Sequence, residues 1–176
     1  AHSQAQISAG VQSHQVAGED PLGTRLLNAG YSYLTAGENV YAYSTNVLYA
    51  HAGFMVDWGT GVNGMQSPAG HRNNIMNASF TEVGIDITLE ATSGNPVGPQ
   101  VVTEDFGTRA SKVFLLGVAY NDTDGNKFYS VGEGKAGLIV TNSDGASFTT
   151  DAAGGYSVEM VSTGKTRLSQ PRAPDT

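Results

Sequence analysis

Apolar and polar positions alternate with a period of two in the stretch "FTEVGIDITLE", residues 80–90, where Val83, Ile85, Ile87 and Leu89 occupy every second place. The stretch "PQVVTEDFG", residues 99–107, follows after the turn "SGNPVG". A period of two is that of a β-strand, so the pair predicts two strands joined as an antiparallel hairpin. Elsewhere the spacing is helical. "STNVLYAHAGFMVDWG", residues 44–59, sets Val47, Leu48, His51, Phe54, Met55 and Trp58 along one stripe, which predicts a helix that buries them. Ser44 or Thr45 is the expected cap and Gly59 the stop. "DPLGTRLLNAG", residues 20–30, has an Asp-Pro start, apolar Leu22, Leu26 and Leu27, and a terminator at Gly30. "AHSQAQISAG" predicts a short helix ending at Gly10 and is so nearly the middle of one that residues are expected to precede it. Helices followed by a hairpin predict an α+β layered domain.

After Arg109 the texture changes. From "KVFLLGVAY" to "GGYSVEMV" only short apolar alternations occur, punctuated by Gly, Asn and Asp, which predicts a small all-β module. The expected organisation is a first domain over 1–109, a β-module over 110–163 and a tail or linker over 164–176. No apolar run approaches the roughly 20 residues of a membrane span, so no transmembrane segment is expected. Charge narrows the partners. The chain of 176 residues carries net charge −7, and residues 1–109 hold nine acids against three bases. This argues against nucleic acid or an anionic membrane as the main partner. There is no cysteine, hence neither a disulfide framework nor a thiolate metal site.

Five motifs occur in order: "SHQ" at 13–15, "AGYSYLTAGENV" at 29–40, "DWG" at 57–59, "SPAGHRNNIMNASFTEVGIDI" at 67–87 and "VTEDFG" at 102–107. Together they resemble the bacterial branch of the CAP superfamily (cysteine-rich secretory proteins, antigen 5, pathogenesis-related proteins), the SCP-like extracellular proteins. The resemblance implies an α-β-α sandwich, a secreted or surface location, and a central cleft that in many members holds histidines and acidic residues around a divalent metal. Position by position, the family's first cleft histidine matches His14, the glutamate of "GEN" matches Glu38, and the "GHR" histidine matches His71. The sequence departs from the eukaryotic pattern in two places. An insert, "GTGVNGMQSP", follows Trp58 where a second glutamate is usual, and the histidine of the last strand is missing, Glu104 and Asp105 being the nearest polar residues.

Three chemistries are open to His14, Glu38 and His71. Two imidazoles and a carboxylate suit zinc or another borderline divalent ion. The same groups can act as a general acid-base pair. They can also be a buried hydrogen-bonded network that ties loops together. His51, on the apolar stripe of its helix, is either a satisfied core residue or a third imidazole near the cleft. A Ser/His/Asp triad through Ser13, Ser44 or Ser67 lacks any nucleophile elbow. "SPAGHR" is expected to present His71 at the cleft mouth, with "NNIM" opening a helical turn and Arg72 bracing Glu82 or Asp105.

The β-module carries its own signal. In "NDTDGNKFYSVGE" the residues Asp122, Asp124, Asn126 and Glu133 take positions 1, 3, 5 and 12 of a loop, with the Phe128 carbonyl at 7. These are hard oxygen ligands at the spacing of a calcium loop. Lys127 stands where that rule places glycine, and Asn121 and Asp144 are weaker candidates. The loop lies between apparent strands, and residues 113–161 resemble the B-type repeats of serine-aspartate adhesins, which implies a calcium-stabilised β-sandwich serving as spacer or stalk. The expected whole is a secreted protein that binds a lipid, glycan or protein partner. The alternatives are a metal-dependent hydrolase, most plausibly a peptidase, centred on His14, Glu38 and His71, and a purely structural surface protein.

Overall fold

A computed structural model describes residues 2–92, 94–110, 113–142 and 145–160. The chain has mixed α and β structure and divides into two compact units, Ala1–Ala110 and Ser111–Thr176. Asp144 and the expected tail, 164–176, lie outside the described residues. No helix among the described residues is long and apolar enough to cross a membrane.

Unit 1 is organised by a three-stranded antiparallel sheet of order β1-β3-β2, with β1 Thr35–Tyr41, β2 Glu82–Leu89 and β3 Gln100–Thr108. The strands β2 and β3 form the expected hairpin. Strand β1 has no counterpart in the sequence prediction. It pairs with β3 in a register that sets Glu38 against Asp105, Asn39 against Glu104 and Tyr41 against Val102. Cross-strand partners share a face and consecutive residues do not. Glu38 and Asp105 therefore share one face of the sheet, and Asn39 and Glu104 share the other.

Each face has its own core. Helix α1, His2–Ala9, brings Ile7 into a cluster with Ala42, Val97 and Val101, and its Ser3 hydroxyl lies 2.8 Å from that of Thr103. Helix α3, Val47–Val56, brings Ala50 and Phe54 onto Val102, with Tyr41 and Ile75 packed against them. Two shorter helices complete the unit, α2 Leu22–Asn28 and α4 Gly70–Ile75.

The expected apolar stripe of α3 is corrected. Val47, Leu48, His51 and Trp58 are exposed, and the buried face is Ala50, Gly53 and Phe54. Small residues let the helix approach closely, and at Gly53 an added β-carbon would lie 2.7 Å from the Tyr41 ring and 3.3 Å from that of Trp58. The caps also differ from expectation. Asn46, not Ser44 or Thr45, accepts the Tyr49 N–H at 2.8 Å, and the helix ends one residue before Trp58, at Asp57 in the left-handed conformation, φ +60°. Asp tolerates that conformation better than most residues. Strand β2 exposes the alternating apolar set, Val83, Ile85, Ile87 and Leu89, and faces its polar positions toward α1.

In unit 2 the described elements are all strands: β4 Val113–Val118, β5 Ile139–Thr141, β6 Ser147–Thr149 and β7 Gly155–Met160. Strands β4 and β7 pair antiparallel, as do β5 and β6. Among the described residues of this unit only Val140 and Val158 are buried apolar ones, so its described core is small.

Candidate functional site

Glu38 is fixed on its strand with its side chain almost wholly buried. His14 donates from Nδ1 to Oε1 at 2.9 Å, and Arg25 donates from Nη2 to Oε2 at 2.8 Å. His2 approaches Oε1 at 3.9 Å while its Nδ1 contacts Glu19 at 2.8 Å. Each base comes from a different segment: His2 from α1, His14 from the loop after it, Arg25 from α2. Burial pushes the Glu38 carboxyl up, but the hydrogen bonds from His14 and Arg25 outweigh it and leave the group below its ordinary range.

Asp105 faces Glu38 across the β1–β3 pair and behaves in the opposite way. Burial first, then the charge and hydrogen bonding of Glu38, push it up to about 6. Its Oδ1 makes no hydrogen bond, nor does Arg25 Nε. Two carboxyls with unlike surroundings, one held ionised and one able to carry a proton, sit side by side. Asp105 and Arg25 line a cavity of about 560 Å³ together with His2, Asp86, Leu26 and Ile85.

His71 lies elsewhere. It opens α4 and donates from Nδ1 to Asp57 Oδ1 at 2.7 Å, and Asp57 Oδ2 accepts the Arg72 N–H at 3.2 Å. Its ring leans on Phe54 at 5.2 Å between centroids. Asn39, which points away from Glu38, donates to the His71 carbonyl and to Glu104 Oε2, both at 3.2 Å. Asn74 ties the same knot by donating to Asn39 Oδ1 at 2.9 Å and to the Glu38 carbonyl at 3.2 Å. His51 is half exposed and donates to Glu104 at 3.3 Å, so it is neither a core residue nor part of the Glu38 cluster.

The expected trio is thus divided. The structure joins His14 to Glu38 and gives His71 to Asp57. Among the described residues the one group of three His, Asp or Glu ligands whose atoms all lie within 4.8 Å of one another is Asp122, Asp124 and Glu133. Zinc does not fit His14, Glu38 and His71 as they stand, because His14 closes on Glu38 while His71 closes on Asp57, and the three do not bring their ligand atoms together. Arg72 is a second correction. It braces no carboxylate side chain through its guanidinium, donating instead to the Met55 and Val56 carbonyls at the end of α3, at 2.6 and 2.7 Å. Glu82 pairs with Arg109 and Tyr31, and Arg109 holds its carboxyl below the usual range. None of the Ser13, Ser44 and Ser67 hydroxyls hydrogen-bonds a histidine among the described residues; those of Ser13 and Ser44 donate to the Gln15 and Asn46 carbonyls, and His2 reaches only the Ser13 backbone carbonyl, at 2.8 Å.

Sequence reasoning missed His2, Arg25 and Asp57. Arg25 and Asp57 sat inside quoted motifs, yet nothing in their spacing pairs them with Glu38 or His71.

The loop of unit 2 gathers hard oxygen donors. Glu133 Oε1 accepts from the Thr123 N–H at 2.7 Å, the Thr123 hydroxyl at 2.8 Å and the Asp124 N–H at 3.3 Å, and Oε2 accepts from the Ser130 N–H at 2.9 Å. These bonds, that of the Ser130 N–H foremost, lower the Glu133 carboxyl. Asp122 accepts the Lys127 N–H at 3.0 Å, and Asp124 accepts from Asn126 and Ser130 at 2.8 and 2.9 Å. Asn126 Oδ1 accepts the Phe128 N–H at 2.6 Å. Lys127 takes the left-handed conformation, φ +65°, that the calcium-loop rule meets with glycine. Three clustered carboxylates with no cationic side chain hydrogen-bonded to them among the described residues fit a hard divalent cation. Asn121 contributes a backbone bond to the Glu133 carbonyl.

Compared with known proteins, the chain matches no protein-family model, no curated sequence and no solved structure.

Proposed function

We propose that the chain is a secreted binding protein, with unit 1 a CAP-type α-β-α sandwich that engages an extracellular partner and unit 2 a calcium-stabilised β-sandwich that carries it. The α1 and α3 cores on opposite faces of one sheet are consistent with the three-layer part of this reading. Calcium is supported by the Asp122, Asp124 and Glu133 cluster, with Asn126 and the Phe128 carbonyl as further oxygen donors. The ion would supply charge that holds three mutually repelling carboxylates together, and the chain's own Thr123 and Ser130 N–H groups orient Glu133 for it.

The observation that favours binding over metal-dependent hydrolysis is the state of Glu38. A general base needs to face water or substrate and to be ready to take a proton. The Glu38 side chain is almost wholly buried, and the hydrogen bonds from His14 and Arg25 hold its carboxyl below the ordinary range. In this arrangement it ties α2 and the His14 loop to the sheet.

The test is a zinc titration by calorimetry on calcium-saturated protein beside His14→Ala and His71→Ala, with a peptidase screen of wild type and Glu38→Ala. The reading expects no stoichiometric zinc site common to both histidines and no turnover to lose. Zinc binding of about micromolar strength, about 8 kcal/mol, abolished in both variants, would sink it in favour of the hydrolase.

A further inference from the structure

A second cleft lies away from the Glu38 cluster, at the free edge of β1. It has a volume of about 210 Å³ and is lined by Gln12, Tyr41, Tyr43, Trp58, Gln66 and His71. Three features mark it as more than a surface dent. Tyr43 is held at φ +64°, a left-handed conformation that a non-glycine side chain rarely adopts. Its N–H is bonded to the Val97 carbonyl at 3.0 Å and its ring remains more than half exposed. Trp58 is also exposed, its ring 4.9 Å from that of Tyr49. Gly53 provides the floor, since any side chain there would strike the Tyr41 and Trp58 rings.

The polar groups are few and already oriented. Gln12 spans the strand edge, accepting the Ala42 N–H at 2.9 Å and donating to the Val40 carbonyl at 3.3 Å. Gln66 donates to the Trp58 carbonyl at 3.1 Å, and its Oε1 has no partner among the described residues. His71 commits Nδ1–H to the fully buried Asp57, so the ring is fixed, and its Nε2 is unpaired among the described residues.

This chemistry selects a ligand class. The lining has no lysine or arginine to pair with a phosphate or carboxylate, and no carboxylate to pair with an ammonium group. A quaternary ammonium ion requires aromatic faces on several sides. Tyr41 packs edge-to-face with Tyr49 and Phe54 at 6.4 and 5.8 Å, which leaves Tyr43 and Trp58 as the exposed rings of the lining. A purely apolar ligand would strip water from Gln66 and His71 without replacing their hydrogen bonds. A sugar ring answers every feature. Its C–H face carries partial positive charge that suits the electron-rich face of an aromatic ring, and its hydroxyl rim both donates and accepts. The volume is below the roughly 300–1,000 Å³ of pockets for drug-sized ligands, which leaves room for one ring of a longer chain.

We propose that this cleft binds one ring of a neutral oligosaccharide, with Trp58 and Tyr43 stacking on the sugar and Gln66 and His71 hydrogen-bonding its hydroxyls. The inference rests on the binding reading of unit 1 and names its ligand class.

Trp58 is the only tryptophan in the chain, so the tryptophan fluorescence reports on this cleft. The probes are a β-1,4-linked N-acetylglucosamine tetramer and cellotetraose, titrated up to about 10 mM with choline chloride as the cationic comparison. Calorimetry runs in parallel, and the recovered sugar is sized by chromatography. Tyr43→Gly is the informative variant, because glycine is at ease at positive φ and the fold keeps its turn while losing the ring. The expected result is saturable quenching or enhancement by one tetrasaccharide. Tyr43→Gly should weaken the binding about tenfold, and Trp58→Ala and His71→Gln should do likewise by calorimetry. Tetrasaccharide recovered in shortened form would support the sugar cleft and overturn the non-catalytic reading of unit 1. Absence of binding by both methods would overturn the sugar inference and leave that reading standing. Sugar binding indifferent to the variants, or choline binding that the variants abolish, would equally overturn the inference.

Discussion

Asp105→Asn should make unit 1 more stable at neutral pH and leave it nearly unchanged in mild acid. The group is raised from an ordinary value of 3.8 to about 6. A carboxyl raised in the folded state contributes fully when protonated, below the unfolded value, and loses that contribution as pH climbs through the folded one. The wild-type chain thus surrenders stability between about pH 4 and 6 on account of this residue. The full shift corresponds to about 3 kcal/mol at 1.36 kcal/mol per unit. Asp105 is only partly buried and borders a cavity, so screening reduces this to about 1–2 kcal/mol. Burial sets the sign and Glu38 on β1 adds to it, whereas Arg25 on α2 and His2 on α1 lower the group. The amide of Asn cannot ionise and can donate to Glu38, so the penalty disappears while the contact remains.

The assay is urea unfolding of both proteins at pH 4.5, 6 and 7.5, followed by a signal confined to unit 1, for which Trp58 fluorescence serves. The variant should gain about 1–2 kcal/mol at pH 7.5 and much less at pH 4.5. Glu38 titrates in the opposite sense, its stability lost as pH falls, and because it faces Asp105 the difference between the two proteins belongs to the pair of carboxyls. An equal difference at all three pH values, or a variant less stable at pH 7.5, would show that Asp105 is ionised and satisfied in the native state.

Chelation is expected to lower the melting temperature of unit 2 markedly, since an ion present at about 100 times its dissociation constant contributes about 2.7 kcal/mol; calorimetric scans with EDTA and with calcium, beside Glu133→Gln, check this, and an unchanged melt excludes the ion. Lys127→Gly should stabilise the same loop by about 0.5–1 kcal/mol, the left-handed strain of about 1–2 kcal/mol less the entropy glycine adds to the unfolded chain. Denaturant midpoints at saturating calcium decide that case. Gly53→Ala should destabilise unit 1 by about 1 kcal/mol, because a collision of about 1–3 kcal/mol with the packed Tyr41 and Trp58 rings exceeds the gain in helix propensity. A variant at least as stable as wild type would mean that the rings move aside.

The elements legible in the sequence were those whose pattern is local. The β2–β3 hairpin announced itself by alternation and a Gly-Asn-Pro turn, and the start and stop of α2 by Asp-Pro and Gly30. The clustering of Asp122, Asp124 and Glu133 was legible because these residues follow one another within a dozen positions. Strand β1 was invisible for a physical reason. In "TAGENVY" the buried residues are consecutive, Glu38, Asn39 and Val40, and two of them are polar. Each anchors a hydrogen-bond network on its own face, so no apolar alternation is left to read. For α3 the spacing was right and the phase was wrong. The helix packs through Ala50 and Gly53, whose value lies in their smallness, which a hydrophobic count overlooks.

The division of the expected trio has a similar origin, and it bears on where ligands can act. The dipeptide Glu104-Asp105 sits in the central strand, where neighbouring side chains must point to opposite faces. Glu104 joins Asn39 and His51 on the α3 side, and Asp105 joins Glu38, Arg25 and His2 on the α1 side. Glu38 and Asn39 repeat the same split on β1. Two polar clusters back to back through one sheet cannot form a single metal site, however close their residues are in sequence. They can instead hold the sheet's two coverings in register. On the α3 side the Asp57–His71 pair then stands at the strand edge beside open aromatic rings. A rigid polar backing behind an exposed aromatic surface is what ring recognition requires, and it gives His71 a use that does not depend on Glu38.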